Sequence, residues 1–403
     1  MKYFKRIIFL IFKPLNPIDV LDGFSVSKFS VLKRFELLFK GNKAQFFLIF
    51  KHLLLNLISI FFIPIAIILF FLKYKLIYIN FWQIGAPPQQ IGTLYKYLKL
   101  SKFDTRKIIC LNPKLISNTH EANKFYQSKI IIIENFFLYL FFLPLLNIKQ
   151  ITLMPYISDS THNDSKYDLI NSLYEDINNK SEIFSIKKQD QKFLKKFNKN
   201  IKLKKFIVLN VRDNRSYSSI RNANINNYKK TINFLLKKKY QVIRLMDEKD
   251  LKIKINNKNY FEFSNSKINL YLQILLFKFA KFCIVTQSGP AGYASIIDTP
   301  FLLTNSTLLR SKLVPKRKDL IILKKTNLNF FKKNYLYNFK KIKFFDNTPN
   351  EILNATKEIE KNIKKKSLNK IFNSDQKVNE YKYPSKFSNA LISKYFLRKL
   401  KYS

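Results

Sequence analysis

Short apolar runs that stop abruptly at polar residues, separated by stretches long enough for a helix, constrain this chain more than any other feature. They read as the strands of an α/β sheet: Leu76 to Phe81, Lys107 to Leu111 and Ile130 to Ile133, then Phe206 to Val211, Gln241 to Met246, Phe282 to Val285 and Pro300 to Leu303. Between the later runs, Tyr228, Ile232, Leu235 and Leu236 recur at helical spacing, which makes the stretch from Phe206 to Met246 a β-α-β unit. Ser266 is a candidate cap for a helix from Lys267 to Lys281. Thr348, Pro349, Asn350 and Glu351 form a capping box with proline at the first helical position, opening a helix with Ile352, Ile359 and Ile363 on its apolar stripe. At 403 residues the chain exceeds the roughly 250–300 that one hydrophobic core serves, so two such domains are expected.

A second pattern precedes the first strand. Leu53 to Leu72 carries no charge and has the length needed to cross a hydrocarbon core about 30 Å thick. Pro64 interrupts it, so a full span and a broken helix that enters one leaflet both remain open. Lys51 and His52 stand before it and Lys73 and Lys75 after it, so flanking charge does not orient it. Phe136 to Leu146 is apolar all round but too short to span, which suggests a buried or interfacial helix.

The net charge of +47 builds a field that attracts polyanions. Lys, Asn, Ile, Phe and Tyr are in excess together while glycine numbers only 6, a compositional drift that accounts for much of the charge. Anionic lipid head groups are the expected partner. No aromatic stacking motif accompanies the charge, so nucleic acid is not expected. Cys110 and Cys283 both sit inside apolar runs and indicate buried, reduced thiols. His52, His120 and His162 lie too far apart for ligand spacing, so no metal site is expected.

Ligands of open parallel sheets sit beyond the carboxyl ends of the strands, and three polar clusters follow such runs. They are Arg212 and Asp213 with Arg215, then Asp247, then Thr286, Gln287, Ser288 and Gly289. Adjacent strands would bring them to one crevice. Gly289 allows close backbone approach, Pro290 suits a first helical turn, and amides with the Ser288 hydroxyl suit an anion such as phosphate. A strand-to-helix corner that needs glycine for shape alone would look the same. Arg212 follows an apolar run and could offer its planar fork to phosphate oxygens, or pair with Asp213 on the surface. Asp213 is the first candidate for a general base, with Glu134 and Asp104 as alternatives. Asp247 and Gln287 are candidates for further polar contact with a ligand in that crevice.

The stretches NVRDNRSYSSIRNANINNYKKTINFLLKKKYQVIRLMD, FCIVTQSGPAGYASIIDTPFLLTNST and DNTPNEILNATKEI, in that order, resemble a bacterial glycosyltransferase family. Its members are similar to heptosyltransferase-like and fucosyltransferase-like enzymes with two facing Rossmann-like domains, the GT-B arrangement, and are linked to surface polysaccharides. The likeness runs from about Ile77 to Lys365 and is strongest from Asn210 onward. It implies that Arg212, Arg221 and the Thr286, Ser288, Gly289, Pro290 loop hold the diphosphate of a nucleotide sugar. It also implies that QIGAPPQQIGTLY, with Gln83 and Gly85, forms an acceptor-side loop. Relatives carry His after that glycine and Asp before the Ser-Gly pair, where this chain has Ala86 and Gln287.

The expected protein is thus a metal-independent glycosyltransferase without a cofactor, on the cytoplasmic face of the inner membrane. It would move a sugar from a nucleotide-sugar donor to a lipid-linked or surface-polysaccharide acceptor. A catalytically inactive relative that binds a nucleotide or a glycan-assembly partner is the second reading. The expected divisions are 1–75, basic with the apolar membrane-associated helix; 76–200, the acceptor-side Rossmann-like domain and a connection; 201–365, the nucleotide-sugar domain; and 366–403, a basic tail with a docking helix from Ser388 to Leu400.

Overall fold

A computed structural model describes residues 20, 21, 24, 25, 50, 54, 57–78, 107–126, 130–148, 151–153, 188–203, 205–213, 219–264, 268–297, 299–306, 319–326, 343–364, 391 and 392. The chain divides into two compact units, Met1–Gln83 with Ser101–Ser158, and Ile84–Leu100 with Asp159–Ser403. Each is an α/β structure built on a parallel sheet.

In the first unit a short antiparallel pair, β1 (Val20–Leu21) and β2 (Phe24–Ser25), comes before α1 (Ile63–Phe71). The uncharged stretch does not form one spanning rod. Phe62 is a turn residue, Pro64 stands in the first turn of α1, and the chain leaves the helix for a strand by Lys75. No helix among the described residues is long and apolar enough to cross a membrane. The sheet that follows contains β3 (Lys75–Tyr78), β4 (Ile108–Leu111), β5 (Ile131–Ile133) and β6 (Thr152–Leu153), all parallel and ordered β5-β4-β3-β6. Between β4 and β5 lies the single turn α2 (Asn123–Tyr126), and after β5 comes α3 (Phe136–Phe142). Asn135 starts α3 by accepting from the Phe137 and Leu138 amides, and Pro144 turns the remainder of that apolar stretch into a 3-10 turn.

The second unit opens with α4 (Lys188–Phe197), whose Asp190 accepts a hydrogen bond from the Tyr271 hydroxyl. The first strand, β7 (Phe206–Asn210), is buried throughout. Next come α5 (Lys229–Lys237), β8 (Gln241–Met246), β9 (Tyr260–Ser264), α6 (Leu270–Phe279), β10 (Cys283–Val285), α7 (Ala291–Ile296), β11 (Phe301–Ser306) and β12 (Leu320–Leu323). The antiparallel pair β13 (Lys325–Thr326) and β14 (Phe344–Phe345), α8 (Pro349–Lys364) and β15 (Leu391–Ile392) complete it.

The α6 cap is not Ser266, which lies outside the described residues; Asn269 accepts from the Leu272 amide, and the helix starts at Leu270. The capping box of α8 forms as its sequence requires: the Thr348 amide donates to Glu351 at 2.8 Å and the Glu351 amide to the Thr348 hydroxyl at 3.3 Å. Leu391 and Ile392, inside the stretch expected as a docking helix, are extended and pair parallel with β12, where a sheet edge offers unpaired backbone groups. The rest of that stretch lies outside the described residues.

The sheet of the second unit is parallel and ordered β9-β8-β7-β10-β11-β12-β15. The chain begins at the middle strand, winds outward through β8 and β9, then returns to the other side of β7 through β10. That reversal is the doubly wound plan, and the order changes direction between β7 and β10.

Both cysteines are buried, and burial pushes the Cys110 thiol well above its ordinary range. Neither should react with a thiol reagent in the folded protein, and both should react fully in denaturant. Stoichiometric labelling before denaturation would contradict this packing.

Candidate functional site at the switch point of the second sheet

Strands β10, β7 and β8 are neighbours in register, with Val285 beside Asn210 and Asn210 beside Leu245. The three polar clusters therefore leave the same edge of one sheet. The carboxyl ends of β7 and β10 flank the reversal in strand order, the place where open parallel sheets bind their ligands.

Asn210 ties this edge together. Its side chain donates to the Leu245 carbonyl at 3.1 Å and accepts from the Ser288 hydroxyl at 2.6 Å, linking the end of β8, β7 and the loop after β10. The Thr286 amide extends the ladder by donating to the Asn210 carbonyl at 3.0 Å, and the Thr286 hydroxyl accepts from the Arg212 amide at 2.7 Å. Arg212 thus starts its loop from a fixed backbone. Its Nε donates to Asn222 Oδ1 at 3.1 Å, which sets the plane of the guanidinium, and the Ala223 amide donates to its carbonyl at 2.8 Å.

The segment that meets Arg212 is held from the far side. Lys324, buried at the end of β12, donates to the Asn222 carbonyl at 2.5 Å and pairs with Asp346 at 2.7 Å. Asp346 also accepts from the Asn224 amide at 2.7 Å. Behind it, Asn347 and Asn305 exchange backbone and side-chain bonds at 2.7 Å each, and Asn347 donates to the Leu323 carbonyl at 2.7 Å. Asn305 sits at φ 51, a left-handed conformation that asparagine tolerates, where the β11–β12 register shifts. Tyr228 shares a bond with the Thr304 hydroxyl at 2.7 Å and accepts from Asn305 at 2.9 Å; burial pushes its phenol well above the ordinary range, so it stays neutral.

Of the candidate residues, Arg212, Gln287, Ser288, Gly289, Asp247 and Arg221 are half-buried at this edge, while Asp213, Thr286 and Pro290 are buried. Arg221 belongs to the 3-10 turn Ser219–Arg221. Asp247 accepts from the Lys249 amide at 3.4 Å within the turn that follows β8. The Gly289 and Pro290 carbonyls accept from the Gly292 and Tyr293 amides at 3.0 Å each, closing the corner into α7. Arg215, Gln83, Gly85 and Asp104 lie outside the described residues. Glu134 belongs to the first unit, where it accepts from Asn123 at 2.9 Å at the end of β5.

Lys324 and Asp346 had no place in the sequence reading. The signal was present, since Lys324 follows LIIL as Arg212 follows FIVLNV, but the run was not read as a strand. Its charge is matched by Asp346. Among the described residues no cluster of His, Cys, Asp and Glu could hold a metal ion.

The Ser288 hydroxyl has a protein partner, and this changes what its removal should do. Ser288→Ala leaves Asn210 Oδ1, which is buried, without a donor and should cost about 1 to 3 kcal/mol of stability. Gly289→Val adds a branched side chain beside the loop and should reduce nucleotide affinity in the protein that remains folded. Denaturant melts of both variants, with affinity corrected for the folded fraction, check this. Unchanged stability for Ser288→Ala would show that the Asn210 bond is not formed in solution.

No protein-family model and no curated protein matches this chain. Solved structures similar to it include ADP-heptose lipopolysaccharide heptosyltransferase II of E. coli, at 10% identity and a TM-score of 0.46 over 71% of this chain and 98% of that one. A family 9 glycosyl transferase from Veillonella parvula aligns at 7% identity and a TM-score of 0.49, over 71% and 97% of the two chains. The E. coli heptosyltransferase WaaC with ADP aligns at 9% identity and 0.42, over 72% and 99%. These are proteins of the kind the sequence resemblance named.

Proposed function

We propose that this protein is a glycosyltransferase that takes a sugar from a nucleotide-sugar donor bound at the β7–β10 switch point. The observation that carries the reading is the placement of Arg212 and the Thr286–Gly289 loop on adjacent parallel strands where the winding reverses. Two anion-binding elements at one crevice suit a diphosphate better than a single phosphate. The solved structures with a similar chain course include an ADP-heptose heptosyltransferase and a heptosyltransferase with ADP bound, and a nucleoside diphosphate is the ligand class we assign here.

Arg212 neutralises the departing diphosphate, the Thr286–Pro290 loop shapes its seat, and Arg215 and Arg221 add positive charge from the loop between β7 and α5. Asp247 and Gln287 flank the sugar or nucleoside. Asp213, in the loop that follows β7, accepts the proton of the acceptor hydroxyl. Charge on the leaving group is carried by these side chains without a metal or other cofactor. The acceptor is a lipid-linked or surface-polysaccharide glycan, met at the cytoplasmic face of the inner membrane where activated sugars are made.

A thermal-shift screen against nucleoside diphosphates and their sugars tests the donor assignment. A ligand at 100 times its dissociation constant should add about 2.7 kcal/mol of stability. No shift with any of them would overturn it.

A further inference from the structure

We propose that α1 and α3 of the first unit together form a surface that docks on the headgroup–acyl boundary of a bilayer rich in anionic lipid. In α1 and the residue before it, Phe62, Ile65, Ala66 and Leu69 are the positions turned inward, a helical stripe that packs the segment on its own unit. A helix that faced water on its other side would carry charge there. This one carries Ile and Phe instead, and Phe61 and Phe71 are 81% and 74% exposed. The same holds for α3, where Tyr139 is buried while Phe137 is 77% exposed, with Leu138 and Phe141 beside it. The Phe62 and Phe141 rings meet edge to face at 5.2 Å, so the two exposed faces form one patch.

Charge says what covers it. Lysines gather where α1 ends: Lys73 follows directly, Lys75 Nζ lies 5.8 Å over the Phe70 ring, and Lys107 Nζ donates to the Leu72 carbonyl at 3.0 Å. An apolar patch rimmed by lysine fits acyl chains under anionic head groups. A second copy of this chain would instead bring another net charge of +47 to the contact.

This inference stands apart from the nucleotide reading, which rests on the second unit. Flotation of the full chain with phosphatidylcholine vesicles, with and without phosphatidylglycerol, tests it. Binding should require the anionic lipid, and Phe71→Asp/Phe137→Asp should lower it at least about tenfold while Phe71→Leu/Phe137→Leu retains it. Failure to float, equal flotation with neutral vesicles, or full binding by the Asp variant would overturn the proposal. The last result would mean that charge alone recruits the chain. Should the Asp variant fold poorly, Phe71→Trp in a Trp82→Phe background gives an independent readout, since Trp82 is the single tryptophan. Brominated acyl chains should quench it, and absence of quenching would equally overturn the proposal.

Discussion

Arg212→Ala is expected to weaken nucleoside-diphosphate binding by about 10- to 150-fold, because a charge-assisted hydrogen bond contributes about 1.5 to 3 kcal/mol. The backbone of this residue is held independently of its side chain, by the Thr286 hydroxyl at 2.7 Å and the Ala223 amide at 2.8 Å. Truncation should therefore leave the loop in place and remove the guanidinium alone. Asn222 loses one donor but keeps its carbonyl bond from Lys324, so the folded state should survive. Arg212→Lys should fall between the two, since it retains charge and loses the planar fork. Calorimetric titration measures the affinities. Equal affinity in all three proteins would reduce Arg212 to a structural residue that holds the 222–223 segment.

Glu262→Ala should produce the largest loss of stability. Arg244 lies fully buried on β8, and its Nη1 donates to Glu262 of the neighbouring strand at 2.7 Å. Among the described residues its Nε and Nη2 have no hydrogen-bond partner, and Glu262 is the carboxylate paired with it. The Tyr260 hydroxyl donates to the same carboxylate oxygen at 2.7 Å; burial first, and then Glu262, push that phenol up, so it stays protonated as a donor. Removing Glu262 strands a buried cation. The cost should be about 3 kcal/mol, at the low end for a buried pair because the Glu262 side chain is 21% exposed. That corresponds to a melting temperature roughly 6 to 12 °C lower. The double variant Arg244→Met/Glu262→Leu should recover most of the loss, since a well-packed apolar pair carries no desolvation cost. A single variant as stable as the parent would show that the pair does not hold β8 to β9.

Long strands buried on both faces were the most legible in the sequence. FIVLN and QVIRLM are covered on both sides and read as unbroken runs, apart from the one arginine that Glu262 balances. The edge-proximal β9, YFEFS, is half-buried throughout and alternates aromatic residues with Glu262, so no run marks it. The β12 run LIIL lies between Asp319 and Lys324 and was not read as a strand. Ser266 and Asn269 are both competent caps; periodicity could not separate them, and the helix begins after Asn269. The uncharged stretch before β3 has the hydropathy of a span, and Pro64, which has no amide hydrogen to donate, follows the turn at Phe62 that interrupts its helix.

At the site, local chemistry was readable and distant chemistry was not. Arg212 announces itself because a cation directly follows an apolar run. The Asn305–Asn347 exchange joins positions 42 residues apart, and Lys324 reaches Asn222 across 102. Such pairs depend on which strands become neighbours, and only the winding order supplies that.

The most direct test of glycosyl transfer is release of nucleoside diphosphate from a panel of nucleotide sugars by the full chain, with and without acceptor glycolipid. The account predicts saturable release from one donor class that rises with acceptor and falls at least about tenfold in Arg212→Ala. Saturable donor binding with no release from any donor would contradict it and identify a nucleotide-binding relative that does not catalyse transfer.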